Sequence, residues 1–354
     1  MSKGLTPPAR ASAPGSHDLL SGEELQAKLV SLDGAPASLV AGGDVMLAKR
    51  AKQSIAIHGP DYPFRSISPL LKGTPIVLVN HEGPFARRAR LEQRHYSYRV
   101  DPSLAATLVD GGINVVTLAN NHLFDCGLRG VLETIEAVDQ AGLRRIGIGR
   151  DVTEARSPLI MPTGEWRVGL LGYYWNGRCA ATSRRPGAAT GTVAELGEDV
   201  GRLRCLVDWV VVTFHWGVPY ERQPLDEDRA KARYAIECGA DLVVGHHPHV
   251  VQPYEVYRNR PIFYSLGNFA FGSGNSRAEG LLVRVSFSSS DLTCQLFPLY
   301  VKNRDPRVHY QTRVLTGLSA ERALTQLSEI SNPFGPSLGI RAGVGYLNVS
   351  LHAA

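Results

Sequence analysis

Five times along this chain a short aliphatic run stops abruptly at carboxylates, amides or imidazoles. Residues 38–44 end in Asp44, and residues 75–79 lead into Asn80-His81-Glu82. Residues 113–119 precede Asn120-Asn121-His122, residues 209–214 precede His215, and Asp241-Leu-Val-Val-Gly245 opens into His246-His247-Pro248-His249. Runs this short and this apolar read as strands buried on both faces. Helix patterns lie between some of them. Residues 130–138 are followed by Gly142, and residues 226–238 carry acids in the first turn with Gly239 behind. Strands alternating with helices predict an α/β architecture; two-residue alternation over 280–287 and 293–301 adds antiparallel strands of α+β type. In open sheets of this kind ligands bind beyond the carboxyl ends of the strands. All five clusters are therefore expected at one sheet edge.

The rest of the chain sets bounds. Residues 1–16 are rich in Ala, Pro, Ser and Gly and read as a disordered tail. Residues 17–354 read as one domain, with its motif-bearing core at 38–272. Ser21, with Glu24 three residues on, predicts a capped helix over 21–30. Residues 145–149 and 167–175 read as further strands. Residues 178–193, rich in Gly, Ala, Thr and Arg, read as a long flexible loop in which Ser183-Arg184-Arg185-Pro186 is a solvated basic stretch. Residues 260–268 read as a strand with Asn268 as a turn residue behind it. A late helix is expected over 318–330 and a last strand over 346–351.

The net charge of +5 comes without a dense Lys/Arg run, so nucleic acid is not an expected partner and a small anionic substrate is. The five cysteines form no C-x-x-C pair, which speaks against a cysteine zinc site. No apolar run approaches the ~20 residues of a membrane span, and the N-terminus has no signal-peptide pattern. A cytoplasmic protein without a membrane contact is the expectation.

The clusters supply two carboxylates, neutral amides and up to five histidines. Mn, Fe or Zn accept such mixed oxygen and imidazole donors, and the set suffices for one divalent ion, or for two sharing a carboxylate. His247 and His249, two apart, would point the same way in extended backbone. Such an ion lowers the pKa of a water it binds toward neutrality. His122 is placed to protonate a leaving group, and Asp125, three residues on, to orient it. His58, His95, His309 and His352 have no polar partners nearby in sequence and are read as structurally neutral.

Taken in order, Gly43-Asp44-Val-Met-Leu, Asn80-His-Glu82-Gly-Pro, Ala119-Asn-Asn-His122-Leu-Phe-Asp125-Cys-Gly127, His215-Trp-Gly217, Gly239-Ala-Asp-Leu-Val-Val-Gly-His-His-Pro-His249 and Tyr264-Ser-Leu-Gly-Asn-Phe269 resemble the CapA family, named for poly-γ-glutamate capsule biosynthesis. The resemblance implies a calcineurin-like metallophosphoesterase fold, two stacked mixed β-sheets flanked by helices, with metals at one edge. It also implies a ligand set of Asp44, Glu82, Asn121, His215 and histidines from His246, His247 and His249, with His122 facing substrate. Two positions depart from the wider superfamily: Met46 stands where a histidine is usual, and Glu82 where the bridging residue is usually Asp.

Three functions follow as expectations. The first is a metal-dependent hydrolase, most simply a phosphoesterase. The second is a role in amide-bond formation on a γ-glutamyl or peptide-like substrate beside a ligase partner. The third is a binding module with a degenerate metal site, to which Met46 points.

Overall fold

The computed structural model describes residues 14–15, 18–30, 38–92, 96–274 and 279–351. The expected disordered tail lies outside the described residues except for Pro14 and Gly15. The carbonyls of these two accept from the Arg307 guanidinium at 2.7 and 3.0 Å. His95 and His352 also lie outside.

Two mixed sheets dominate the described residues. The first runs Gly339–Arg341, Val344–Ser350, Asp291–Tyr300, Glu279–Phe287, Leu39–Met46, Ile76–His81, Val115–Thr117 and Arg144–Ile146. Asn268–Phe271 joins Leu39–Met46 in parallel, and Arg313–Val314 joins Asp291–Tyr300. The second runs Tyr254–Tyr257, Arg260–Phe263, Leu242–His246, Trp209–His215, Trp166–Tyr173 and Leu159–Thr163. In each, the strands that carry the polar clusters are parallel neighbours, so their carboxyl ends share one edge.

The aliphatic runs divide between separate cores by simple alternation. Leu39, Ala41, Ile76 and Leu78 pack between the sheets against Val168, Leu170, Val211 and Val244. Val40, Val77 and Val79 pack on the outer side of the first sheet, with the helix residues Val131, Ile135 and Val138. Val210 and Val212 pack on the outer side of the second, with Leu196, Val200 and Ala232. Each strand is thus buried on both faces, which is why it reads as one unbroken apolar stretch. The result is two stacked mixed sheets flanked by helices, as expected.

Most predicted elements appear with shifted ends. The Gly22–Val30 helix starts at the expected box: Ser21 N–H donates to Glu24 at 2.8 Å, and Glu24 N–H to Ser21 Oγ at 3.2 Å. Gly127–Gln140, Asp226–Glu237 and Gly317–Ser331 are the other anticipated helices. Residues 145–149 split into two short strands, Arg144–Ile146 and Ile148–Gly149.

The flexible loop expected over 178–193 is instead packed. Cys179, Ala181, Ala188 and Ala189 are buried, and Gly187–Ala188 pairs antiparallel with Ile148–Gly149. A Cβ on Gly187 would lie 2.5 Å from the Cys179 carbonyl oxygen, so small side chains here serve close approach. Arg185 is not merely solvated: its Nη2 donates to the Arg178 and Ala180 carbonyls at 2.8 and 2.7 Å, and its guanidinium lies over the Phe124 ring. The segment ends at a capping box, Thr192 with Glu195, that starts the Val193–Arg204 helix missed in the sequence.

Among the described residues no helix is long and apolar enough to cross a membrane.

Candidate metal and phosphoryl site

The backbone register lines the site up before any side chain is considered. Asp44 is opposite Asn80 on one side and Asn268 on the other, and His215 is opposite His246. The pairing of Leu39–Met46 with both parallel neighbours slips around Asp44, so the strand bulges where its carboxylate leaves it. Gly43 permits this, because a Cβ there would sit 2.0 Å from the Gly267 carbonyl oxygen. Gly245 is under the same constraint from the Tyr264 carbonyl, also at 2.0 Å.

Asp44 and Glu82 are fully buried. Asn80 Nδ2 donates to Asp44 Oδ1 at 2.8 Å, and lies 3.4 Å from Glu82 Oε1 and 3.3 Å from His215 Nδ1. His249 Nδ1 is 3.1 Å from Asp44 Oδ2, and its Nε2 is 3.9 Å from Glu82 Oε2. His215 Nε2 is 2.9 Å from Asn121 Oδ1 and 4.0 Å from Glu82 Oε1. His122 Nε2 is 3.8 Å from Glu82 Oε2, while its Nδ1 contacts Asp125 Oδ2 at 2.7 Å. Asp44, Glu82, Asn121, His122, Asp125, His215, His246, His247 and His249 therefore lie in one cluster.

Two sets of donor atoms each lie within 4.8 Å of one another: Glu82 with His215 and His247, and Asp44 and Glu82 with His249. Glu82 belongs to both. Its Oε2, and Nδ1 of His247, have no hydrogen-bond partner although buried. Buried polar atoms without partners are costly, and a cation between these donors would satisfy them. The donor set fits a divalent ion on those grounds.

Burial and mutual charge divide the protons of the metal-free cluster unevenly. Burial pushes the Glu82 carboxyl up to about 7, with the His249 charge offsetting part of the rise. Burial would lower His249, but Glu82 and then Asp44 hold it up at about 9. Asp44 stays below its ordinary value: burial opposes ionisation, and the His249 hydrogen bond and charge outweigh it. Burial holds His246 and His247 down to about 4 and drives His215 well below its usual range. Neutral imidazoles keep a lone pair free for a metal.

Several expectations need correction. His247 and His249 do not share an extended stretch. Both have left-handed backbone, φ 101° and 56°, and their rings, 6.1 Å apart, join different donor sets. His246 approaches Asp44 Oδ1 only to 3.7 Å, belongs to neither set, and leaves both ring nitrogens unpartnered. Asn268 is no turn residue; it begins the Asn268–Phe271 strand and lies 3.1 Å from His249 Nδ1. Asn80 holds together Asp44, Glu82 and His215, a role only the tertiary contacts reveal. Met46 is buried and its sulfur accepts the Ala48 N–H at 3.3 Å, so it is committed to the backbone.

A separate groove of about 670 Å³, lined by Trp166, Arg204, Trp209, Asp241 and Arg260, lies at the amino ends of the second sheet's strands, away from this cluster.

Comparison with known proteins places the chain. The family described as bacterial capsule synthesis protein PGA_cap matches residues 38–273. Capsule biosynthesis protein CapA of Bacillus anthracis is 30% identical over 303 residues, covering 81% of this chain and 72% of that one. PGA biosynthesis protein CapA of Bacillus subtilis (strain 168) is 30% identical over 262 residues, covering 73% and 68%. Among solved structures, a 5'-nucleotidase precursor from Thermus thermophilus aligns at 13% identity and a TM-score of 0.41, covering 65% of this chain and 46% of that one. The matched span contains every cluster that builds the site, and this chain belongs to the bacterial capsule synthesis protein family PGA_cap.

Proposed function

We propose that this chain is a metal-dependent hydrolase acting on phosphate esters. The observation that carries the reading is Glu82, common to two donor sets at the mutual edge of the strands and 3.8 Å from the His122 imidazole. Asp44, Glu82, His215, His247 and His249 are the proposed ligands, with Asn121 beside His215 and His246 behind Asp44. A divalent ion, Mn, Fe or Zn, supplies Lewis-acid polarisation and activation of water when bound. Asp44 and Glu82 balance its charge, and Asn80 fixes the carboxylates relative to His215. His122 delivers a proton to the departing oxygen from Nε2, and Asp125 holds its other nitrogen. The five free cysteines support a reducing, cytoplasmic setting.

The test is elemental analysis of protein purified without chelator or histidine tag, followed by assay on an aryl phosphate with added Mn²⁺. Bound metal and turnover are expected; absence of turnover with every divalent ion tried would reject hydrolysis.

The names of the two Bacillus relatives, a capsule biosynthesis protein and a PGA biosynthesis protein, favour a second reading, a part in making a γ-glutamyl polymer, for which we propose a ligase partner. Analysis of products from glutamate oligomers and ATP, with and without a partner ligase, distinguishes it.

A further inference from the structure

Three residues beyond the Leu39–Met46 strand, Lys49 stands at the start of the Arg50–His58 helix with φ 57° and ψ −129°. A non-glycine residue rarely takes a left-handed backbone, and one that does so near a reactive cluster invites a functional explanation. Its ammonium lies 4.5 Å from the centroid of the Tyr98 ring. That ring in turn borders the site itself: Tyr98 and His122 have centroids 4.3 Å apart. Tyr98 also touches Phe271, which packs on His249.

No carboxylate among the described residues forms an ion pair with Lys49, whereas nearby Lys52 is paired with Asp101 at 3.0 Å. Partial burial lowers the Lys49 ammonium from its ordinary value, so the group has given up some water without gaining an acidic partner. The residue as a whole remains exposed. A cation held on an aromatic ring, partly desolvated, unpaired and open to solvent is arranged to meet an anion arriving from outside.

We propose that Lys49 binds a carboxylate carried by the leaving group of the substrate. The inference rests on the phosphoester reading, in which His122 protonates that leaving group. Lys49 and His122, the residue proposed to protonate that leaving group, both lie against the Tyr98 ring. The substrate class is then a phosphorylated compound whose alcohol or acyl portion bears its own carboxylate. Lys49 is a specificity-determining residue, and Tyr98 positions it.

The test uses the full chain loaded with Mn²⁺ and two non-hydrolysable probes, benzylphosphonate and 4-carboxybenzylphosphonate, titrated by calorimetry. Wild type is expected to bind the carboxylated probe about tenfold more tightly, the factor one charge-assisted contact supplies. Lys49→Met should equalise the two probes, and Lys49→Arg should keep most of the preference. Metal content should be unchanged in both variants. Equal affinities in wild type, a preference that survives Lys49→Met, or failure of both probes to bind would overturn the proposal. No turnover is measured. A protein inert toward aryl phosphates that still shows the Lys49-dependent preference would therefore reject hydrolysis and retain this anion site.

Discussion

Asp125 Oδ2 lies 2.7 Å from His122 Nδ1 and accepts the backbone N–H of Tyr98, also at 2.7 Å. One carboxylate oxygen thereby fixes the imidazole that points its other nitrogen at Glu82 and the segment that carries the ring over it. A carboxylate in this place sets the tautomer and ring angle of its histidine.

Asp125→Asn should lower turnover of an aryl phosphate about 10- to 100-fold, a part of the roughly 10²–10⁴ that a positioned general acid supplies. Bound metal should stay at the wild-type level. His122→Ala should act in the same direction and more strongly, again without metal loss. Paired elemental and kinetic measurements check both; parallel loss of metal and turnover would put His122 among the ligands.

Glu82 is the one side chain shared by the two donor sets, so Glu82→Gln should deplete metal from both. His247→Ala should deplete one set and leave Asp44, Glu82 and His249 able to hold an ion. Metal per chain, measured after identical purification, should fall further in Glu82→Gln than in His247→Ala. Equal content in both variants and wild type would reject the ligand assignment.

Asp228, in the first turn of the Asp226–Glu237 helix, is buried with Oδ2 unpartnered. Burial raises its pKa to about 6; Lys231, 3.8 Å away, opposes the rise and Glu227 adds to it. The folded value lies above the ordinary 3.8, so the protonated acid favours folding at low pH. That contribution is complete below pH ~4 and is lost as pH rises through about 6. Asp228→Asn should therefore stabilise the protein at pH 8 by about 1–3 kcal/mol and change little at pH 4. Denaturant unfolding at the two pH values checks it.

Arg185 crosses its own loop to two carbonyls and lies 5.2 Å from the Phe124 ring centroid. Removing those hydrogen bonds and the cation–π contact with Arg185→Ala should cost about 1–3 kcal/mol. Limited proteolysis should then cut within residues 178–190, which should resist cleavage in wild type. Unchanged resistance would mean that the buried alanines alone hold the segment.

Gly43→Ala should be the most damaging of these changes. Its Cβ would meet the Gly267 carbonyl at 2.0 Å, so two strands must separate where Asp44 enters the site. A loss of roughly 3 kcal/mol or more, or failure to fold, is expected. Chemical denaturation checks it, and a stable variant with normal metal content would show that the strand can shift.

The sequence carried the strands, most long helices and the list of polar clusters because each depends on local chemistry. Val77 and Leu78 go to different cores, yet both are apolar, so burial on two faces leaves an unbroken run. Ser21 and Glu24 cap a helix through a spacing of three residues. The segment over 178–193 misled for a physical reason: Gly and Ala mark flexible chain and also chain packed too closely for larger side chains. Thr192 and Glu195 held the missed signal for the helix that follows.

Composition and spacing thus determined the class of fold, the sheet edge at which the donors gather, and the residue types that meet there. Only the tertiary structure decided that Glu82 is shared, that His247 and His249 diverge, that His246 stands apart, and that Asn80 and Asn268 brace the cluster. Those relations depend on a bulge at Asp44, on left-handed backbone at His247 and His249, and on register between strands distant in sequence. Each sets where a donor atom lies without changing the local pattern of residues, so no linear reading contains it.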